Sequence, residues 1–399
     1  MGLSMCSASP SRNDRRAMKP IYLDHNATTP VDPEVFESML PFLREDFGNP
    51  SSTYALGRRA RDAIEQARTD VAVLLGAMPD EIVFTSGGTE SSNIAIRGAA
   101  ARTDRRTIVT STIEHPATDE CCKLLERSGH RVRRVSPNPD GRIDPLRVID
   151  ALDSDTALVT IIHAQNEIGT LQPIAKISRA ARAVGACVHT DVAQSVGKIP
   201  VDVNELSVDL LSIAGHKLYA PKGIGALYVR RGITLPPLLA GAGQERGRRA
   251  GTENVAAMVG LGTACRIAAR LLPAAVEAMR EKSETLLTHL QKQIPGIELV
   301  GDPDDRLPNT LNVLFPRASG RRVLEACPDV MASTRSACHA DREEPSAILL
   351  ELGIDGEAAL GAVRLSLGRA TTMDDVATAA ASLAAAWRTV SGHAMITAE

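Results

Sequence analysis

The chain has 399 residues, enough for two or three domains of roughly 150 residues each. Its 45 basic and 48 acidic residues leave a net charge of −3, which argues against binding nucleic acid chiefly by neutralising phosphates. Apolar residues at 44% can build a substantial core, and with aromatics at only 3% that core must rest on Ala, Leu, Ile and Val.

Residues 1–18 are polar, lack the apolar stretch of a signal peptide, and are expected to form a flexible leader. Short apolar runs then alternate with amphipathic segments. The predicted strands are EIVFT (81–85), TIVTS (107–111), ALVTIIH (157–163), ACVHTD (186–191), LLSIA (210–214) and GALYV (225–229), with helical patterns such as 63–76 and 174–185 between them. That alternation predicts an α/β fold with a mainly parallel sheet covered on both faces, its ligands outside the carboxyl ends of the strands. Beyond Pro273 the pattern changes to a long helix (274–293), strands at 310–315 and 363–368, a polar loop around 333–346 and an Ala-rich helical tail. The expected domains are therefore a large one over 19–272, whose first segment is a candidate to pack on its neighbour, and a small α+β domain over 273–399.

The longest membrane-like run, 255–265, has 11 residues, short of the roughly 20 that span a bilayer. Seven cysteines, at 6, 121, 122, 187, 265, 327 and 338, include no CxxC pair, which speaks against a zinc ribbon or a dithiol centre. Such sparse usage suits a reduced, cytoplasmic setting, and no metal site is expected. Cys121 and Cys122 read as packing residues on a helix, and His163 and His189 as structural histidines at strand ends.

Three segments could carry chemistry. In FTSGGTESSN (84–93) a strand runs through two glycines into a helix, so Gly88 and Thr89 fit either an anion cradle or an ordinary capped turn. Asp191 ends an apolar strand, where it could pair with a cationic ring nitrogen or simply cap a helix. Lys217 follows a buried-looking strand, where a lowered pKa would make its amine a nucleophile suited to a Schiff base; an exposed loop lysine is the alternative. Together a phosphate cradle, a carboxylate and an amine are the parts that a pyridoxal phosphate site needs.

The sequence resembles the cysteine desulfurase and selenocysteine lyase family of the class V aminotransferase group. The matching stretches include YLDHNATTP (22–30), FGNPSSTYALGRRAR (47–61), EHPA (114–117), HAQNEIGTLQPI (163–174), HTDVAQSVGKIPVD (189–202), GHKLYAPKGIGALYVRR (215–231), GQERGRRAGTEN (243–254), SAC (336–338) and RLSLGR (364–369). The resemblance implies a pyridoxal phosphate-dependent fold of type I with a seven-stranded sheet. It also implies pyridoxal 5'-phosphate as cofactor, with Lys217 as the Schiff-base lysine, Asp191 at the pyridine nitrogen, Gln194 at the ring hydroxyl and His115 stacked on the ring. Gly88, Thr89 and His216 would hold the phosphate, with Thr252 reaching the phosphate of the partner in a homodimer. Asn166 would lie near the ring hydroxyl and the substrate, beside Asn26, and Arg364 would take the substrate carboxylate. Where many relatives carry a serine as an extra phosphate donor, this chain has Ala214, which removes one neutral hydrogen bond of roughly 0.5–1.5 kcal/mol.

Cys338, between Arg335 and His339 in a polar loop, would be the acceptor of sulfur. The implied reaction converts L-cysteine to L-alanine and leaves a persulfide on Cys338 for an acceptor protein. The alternative is selenium release from L-selenocysteine, favoured by CHAD (338–341), RLPNT (306–310) and Ala214; a pyridoxal-dependent aminotransferase would not need Cys338. Neither nucleic acid nor membrane is expected as a partner.

Overall fold

The computed structural model describes residues 20–334 and 344–392. A two-residue strand, β1 (Ile21–Tyr22), opens the described chain. The strands β2 (Ile82–Thr85), β3 (Thr107–Ser111), β4 (Arg131–Val135), β5 (Thr156–Thr160), β6 (Cys187–Asp191), β7 (Leu210–Ala214) and β8 (Gly225–Val229) form one seven-stranded sheet in the order β2-β8-β7-β6-β5-β3-β4. Only β8 runs against its neighbours, so this is the mostly parallel α/β sheet expected. Six of the seven strands are buried along their whole length, because helices cover both faces and continuous apolar runs are what such a position selects.

The strand that apolar runs do not reveal is β4, RVRRV, at the sheet edge. There Arg131 and Arg133 reach Asp155 and Asp153 at 2.9 and 2.7 Å instead of packing in a core. Charge on an edge strand also blocks unwanted pairing.

A second sheet joins β9 (Glu298–Val300), β10 (Thr310–Leu314) and β12 (Ala362–Ser366) in the antiparallel order β12-β10-β9, while β11 (Val330–Met331) pairs in parallel with β1. Its core contains Leu23, Leu311, Val313, Val363, Leu365 and Trp387, so the start of the described chain packs with this smaller unit.

One helix, Val255–Gln293, joins the two cores. Its first half buries Met258, Leu261 and Ala264 in the large core, and its second half buries Leu286 and Leu290 in the small one. The helix therefore starts nineteen residues before the 274 read from the pattern and runs through Pro273, at the expected boundary between the domains. A proline suggests a stop, but packing at both ends overrides that local preference. This helix is also long and apolar enough to cross a membrane, far more so than the run 255–265, but most of its apolar stretch is buried inside the protein. The helix Ala55–Leu75 likewise begins before the expected 63, with Gly57, Ala60, Ile64, Ala67, Val71 and Leu75 buried at helical spacing. Gly76 closes it at φ 65°.

The same helix carries a buried ion pair. Arg68 donates from both terminal nitrogens to Glu245 at 2.8 Å, and Glu245 also accepts from the Phe84 N–H at 2.8 Å. Glu245 and Arg246 sit at φ 47° and 58°, a left-handed turn without glycine. The ion pair fixes this turn on β2 and with it the segment leading to Thr252. Glu245→Ala strips the buried Arg68 of its two-pronged partner, leaving the half-exposed Glu65 at 3.1 Å and the Ile82 carbonyl, and should lower stability by up to about 3 kcal/mol. Arg68→Met combined with Glu245→Leu should recover much of that loss in urea unfolding.

Candidate active site

Four of the large sheet's parallel strands, β2, β3, β6 and β7, end beside one cavity of about 770 Å³, joined there by the segment that follows β5. Asn26, Gly88, Thr89, His115, Asn166, Asp191, Gln194, Ala214, His216, Lys217 and Arg364 all line it. Ten of the twelve expected site residues thus meet in one place. Thr252 does not line this cavity and is exposed on the surface. Cys338 lies outside the described residues, as do Arg335 and His339.

After β2 the helix Gly88–Ala101 turns its N-terminus to the cavity. A Cβ on Gly88 would come within 3.2 Å of the Ala214 Cβ, so glycine lets the helix end approach β7 closely. The free N–H groups there and the helix dipole favour an anion.

After β3, His115 caps the helix Pro116–Arg127 by accepting the Ala117 N–H on Nδ1 at 3.1 Å. With Nδ1 as acceptor, the neutral ring carries its proton on Nε2. Burial lowers the His115 pKa, the Lys217 charge adds to this, and Asp191 pulls the other way. His216 is pushed down to about 4 by burial and by the charges of Lys217 and Lys222. Both histidines are therefore neutral at physiological pH.

Asp191 ends β6, buried, with Oδ1 accepting the Ala193 N–H at 2.8 Å. Lys217 closes the short turn Gly215–Lys217 after β7. The N-terminal segment straps this turn down: Thr29 donates from N and Oγ1 to the His216 carbonyl, each at 2.9 Å.

Arg364 enters from β12 of the second sheet and is 3% exposed. It donates to Asp24 Oδ1 at 2.7 Å and to the Asn166 carbonyl at 3.1 Å, which leaves its buried Nε without a partner among the described residues. An orphaned guanidinium N–H in a cavity is suited to a carboxylate that the protein does not itself supply. The donor set as a whole fits pyridoxal phosphate: an anion cradle, a buried carboxylate, an amine and a cavity wide enough for a ring.

Three contributors were not legible in the sequence. Asp24 fixes Arg364, and Lys198, 8% exposed, donates to Asn26 Oδ1 and Gln194 Oε1. Glu114 is buried beneath the site, where Oε1 accepts from Ser111 Oγ at 2.5 Å and from the Ile162 N–H at 3.0 Å. Its Oε2 has no partner among the described residues, and burial, with the charges of Asp191 and Asp119 adding, raises its pKa to about 8. A carboxyl directly before a catalytic-looking histidine was a signal, but not one of burial.

Cys121 and Cys122 do pack on a helix. Together with Cys187, Cys265 and Cys327 they are free and buried, and burial raises every one of these thiols. His189 is held between Thr160 Oγ1 and Ser212 Oγ, both at 2.8 Å, and His163 bonds Ser195 Oγ at 2.9 Å.

Residues 21–378 match the family model described as aminotransferase class-V. A cysteine desulfurase IscS of Dictyoglomus turgidum is 44% identical over 360 residues, covering 89% of this chain and 91% of that protein. A cysteine desulfurase of Mus musculus is 42% identical, over 92% of this chain and 82% of that protein. Among solved structures, a NifS-like protein superposes with a TM-score of 0.87 at 36% identity, over 93% of this chain and all of that one. The structure described as SspA in complex with cysteine gives 0.78 at 38% identity, over 87% and 98%. The chain belongs to the class-V aminotransferase family of pyridoxal phosphate-dependent enzymes. Within that family it groups with the cysteine desulfurases.

Glu114 makes the stability of the fold depend on pH. Its pKa is about 8 folded against 4.5 unfolded, so the native state holds the extra proton between these values. The stabilisation from this carboxyl is complete below pH 4.5 and is lost as pH rises to about 8. Urea midpoints at pH 5 and pH 8.5 should therefore show Glu114→Gln gaining on the wild type at the higher pH.

Proposed function

We propose that the cavity holds pyridoxal 5'-phosphate and that the chain is a cysteine desulfurase, converting L-cysteine to L-alanine and leaving the sulfur as a persulfide on Cys338. The observation that carries this reading is the meeting in one cavity of Lys217, Asp191, the Gly88–Thr89 helix end and Arg364, whose Nε has no partner among the described residues.

Gly88, Thr89 and His216 would bind the phosphate, Asp191 the pyridine nitrogen, Gln194 and Asn166 the ring hydroxyl side, and Lys217 the aldehyde. His115 would cover the ring face. When bound, the cofactor supplies an electron sink for the bonds at the substrate Cα.

Arg364, steadied by Asp24 and Asn166, takes the substrate carboxylate in two-pronged fashion, with Asn26 beside it. Lys217 takes the Cα proton and later returns it. His115, neutral with Nε2–H, can hold or donate a proton at that atom. The Cys338 thiolate attacks the substrate sulfur, so an S–S bond forms as the Cβ–S bond breaks. The electron pair stays on carbon, which takes up a proton to become the alanine methyl. Overall, cysteine and the Cys338 thiol give alanine and the persulfide, with no outside oxidant.

The anchors of the Cys338 segment support this role. Ser333 pairs with the backbone of Arg364, and Ser346 Oγ bonds Glu167 beside Asn166. Five residues from Ser333 reach at most about 18 Å, which tethers Cys338 to the neighbourhood of Arg364. The five described cysteines are buried and offer no thiolate. The cysteine reading is favoured over selenocysteine because the relatives compared above are named cysteine desulfurases.

We further propose a homodimer in which Thr252 serves the partner's cavity. In support, Thr252 is exposed, and Phe36, Phe47 and Tyr54 expose more than half of their surface.

Borohydride reduction of the cofactor-loaded protein, followed by peptide mapping, should label Lys217. Cys338→Ser should keep the visible absorption band but yield no protein persulfide and no alanine from cysteine, with free thiols excluded. Full alanine production by that variant would refute the assignment. Arg364→Ala should leave the band intact and raise KM for cysteine by tenfold or more, on the order of the 1.5–3 kcal/mol of a charged hydrogen bond.

A further inference from the structure

Lys198 is a buried lysine with no carboxylate within ion-pair distance among the described residues, and both of its hydrogen bonds go to amide oxygens. Such a position is unfavourable for an amine unless it satisfies something in return. Here it satisfies two oxygens of the cavity wall: Asn26 Oδ1 at 2.7 Å and Gln194 Oε1 at 3.0 Å. Gln194 Nε2 in turn donates to the Asn26 carbonyl at 3.0 Å.

We propose that Lys198 is a positioning residue for the cofactor, holding the Gln194 amide by its oxygen so that an N–H is left for the ring hydroxyl. The proposal rests on the reading of the cavity as a pyridoxal phosphate site. Turned over, the amide would set Oε1 against the Asn26 carbonyl oxygen, two acceptors face to face. In the orientation found, one Nε2 hydrogen is used by Asn26. The other has no acceptor among the described residues, in a side chain that lines the cavity with Asp191 and Lys217.

Burial lowers the Lys198 pKa well below its ordinary value, with Lys217 and Arg364 as the charges acting in the same direction. His25 is the group that Lys198 itself disfavours. The arrangement does not depend on its protonation state, since the neutral amine keeps two N–H groups and the ammonium has three.

An N–H facing the ring oxygen stabilises negative charge there and so lowers the proton affinity of the nitrogen joined to it at Lys217. Loss of Lys198 loosens that donor and should raise the proton affinity. The test reconstitutes wild type, Lys198→Met, Gln194→Leu and the double variant with pyridoxal phosphate. The visible band is then titrated against pH. In Lys198→Met the midpoint should rise by about one pH unit, a tenfold change in proton affinity. In the Gln194→Leu background the same replacement should move it far less. Equal shifts in both backgrounds would mean a charge effect without positioning, and an unchanged midpoint in loaded Lys198→Met would mean no role; either overturns the proposal. Lys198→Leu, which likewise lacks an N–H donor, serves if the Met variant does not fold, and absence of any rise there overturns the proposal as well. A wild type that develops no visible band defeats the cofactor reading itself, an outcome distinct from the others.

Discussion

Like charges brought together out of water repel strongly, and this pocket gathers three basic side chains. Lys198 and Arg364 are buried, and Lys217 lines the same cavity. Burial and the Lys217 charge keep His115 and His216 neutral, and burial with the Lys217 and Arg364 charges lowers the Lys198 pKa well below its ordinary value. On the acidic side stand Asp191 in the cavity and Asp24 behind Arg364. On the proposed reading, a phosphate at the Gly88–Thr89 helix end and a substrate carboxylate at Arg364 would complete the pairing of charge in the pocket.

Holding these charges in place falls to three separate pieces of chain. The large sheet delivers Asp191 and Lys217 from the ends of adjacent parallel strands, β6 and β7. The second sheet delivers Arg364 from β12. Between them runs the segment after β1, whose Asn26 side chain bonds Thr310 Oγ1 at 2.9 Å while its carbonyl receives Gln194. Each of these bonds satisfies a group that burial would otherwise leave stranded, so the polar network and the closeness of the two units enforce one another.

The sheet and most of the site were readable because their signals are local. A strand of five apolar residues announces itself, and Asp191 or Lys217 at the end of one is conspicuous. Contacts between distant segments leave no such mark. Nothing near Asp24 points to Arg364, 340 residues away, and a lysine after a glycine at 197 reads as an exposed turn residue. The strand β4 was hidden for the opposite reason: its side chains answer to an edge and to neighbouring aspartates, not to a core. The helix through Pro273 shows packing at both ends outweighing a residue that locally says stop. The resemblance to a family supplied roles for residues whose chemistry alone left them ambiguous, Thr252 and His115 above all.

The same ladder that positions Arg364 also bears on which reaction the site performs. Arg364 stands in β12 with β10 on one side, and on the other its backbone exchanges hydrogen bonds with Ser333, at 2.7 and 3.3 Å. The guanidinium proposed for the substrate carboxylate and the root of the segment bearing Cys338 are therefore fixed by one pair of residues. A cofactor, a lysine and an aspartate suffice for many reactions at an amino acid Cα. On the proposed reading, the Cys338 thiol would add a second reactive partner, on a segment rooted in the small unit at Ser333. In that reading the large sheet would activate the substrate, while the second sheet would determine what is done with its sulfur.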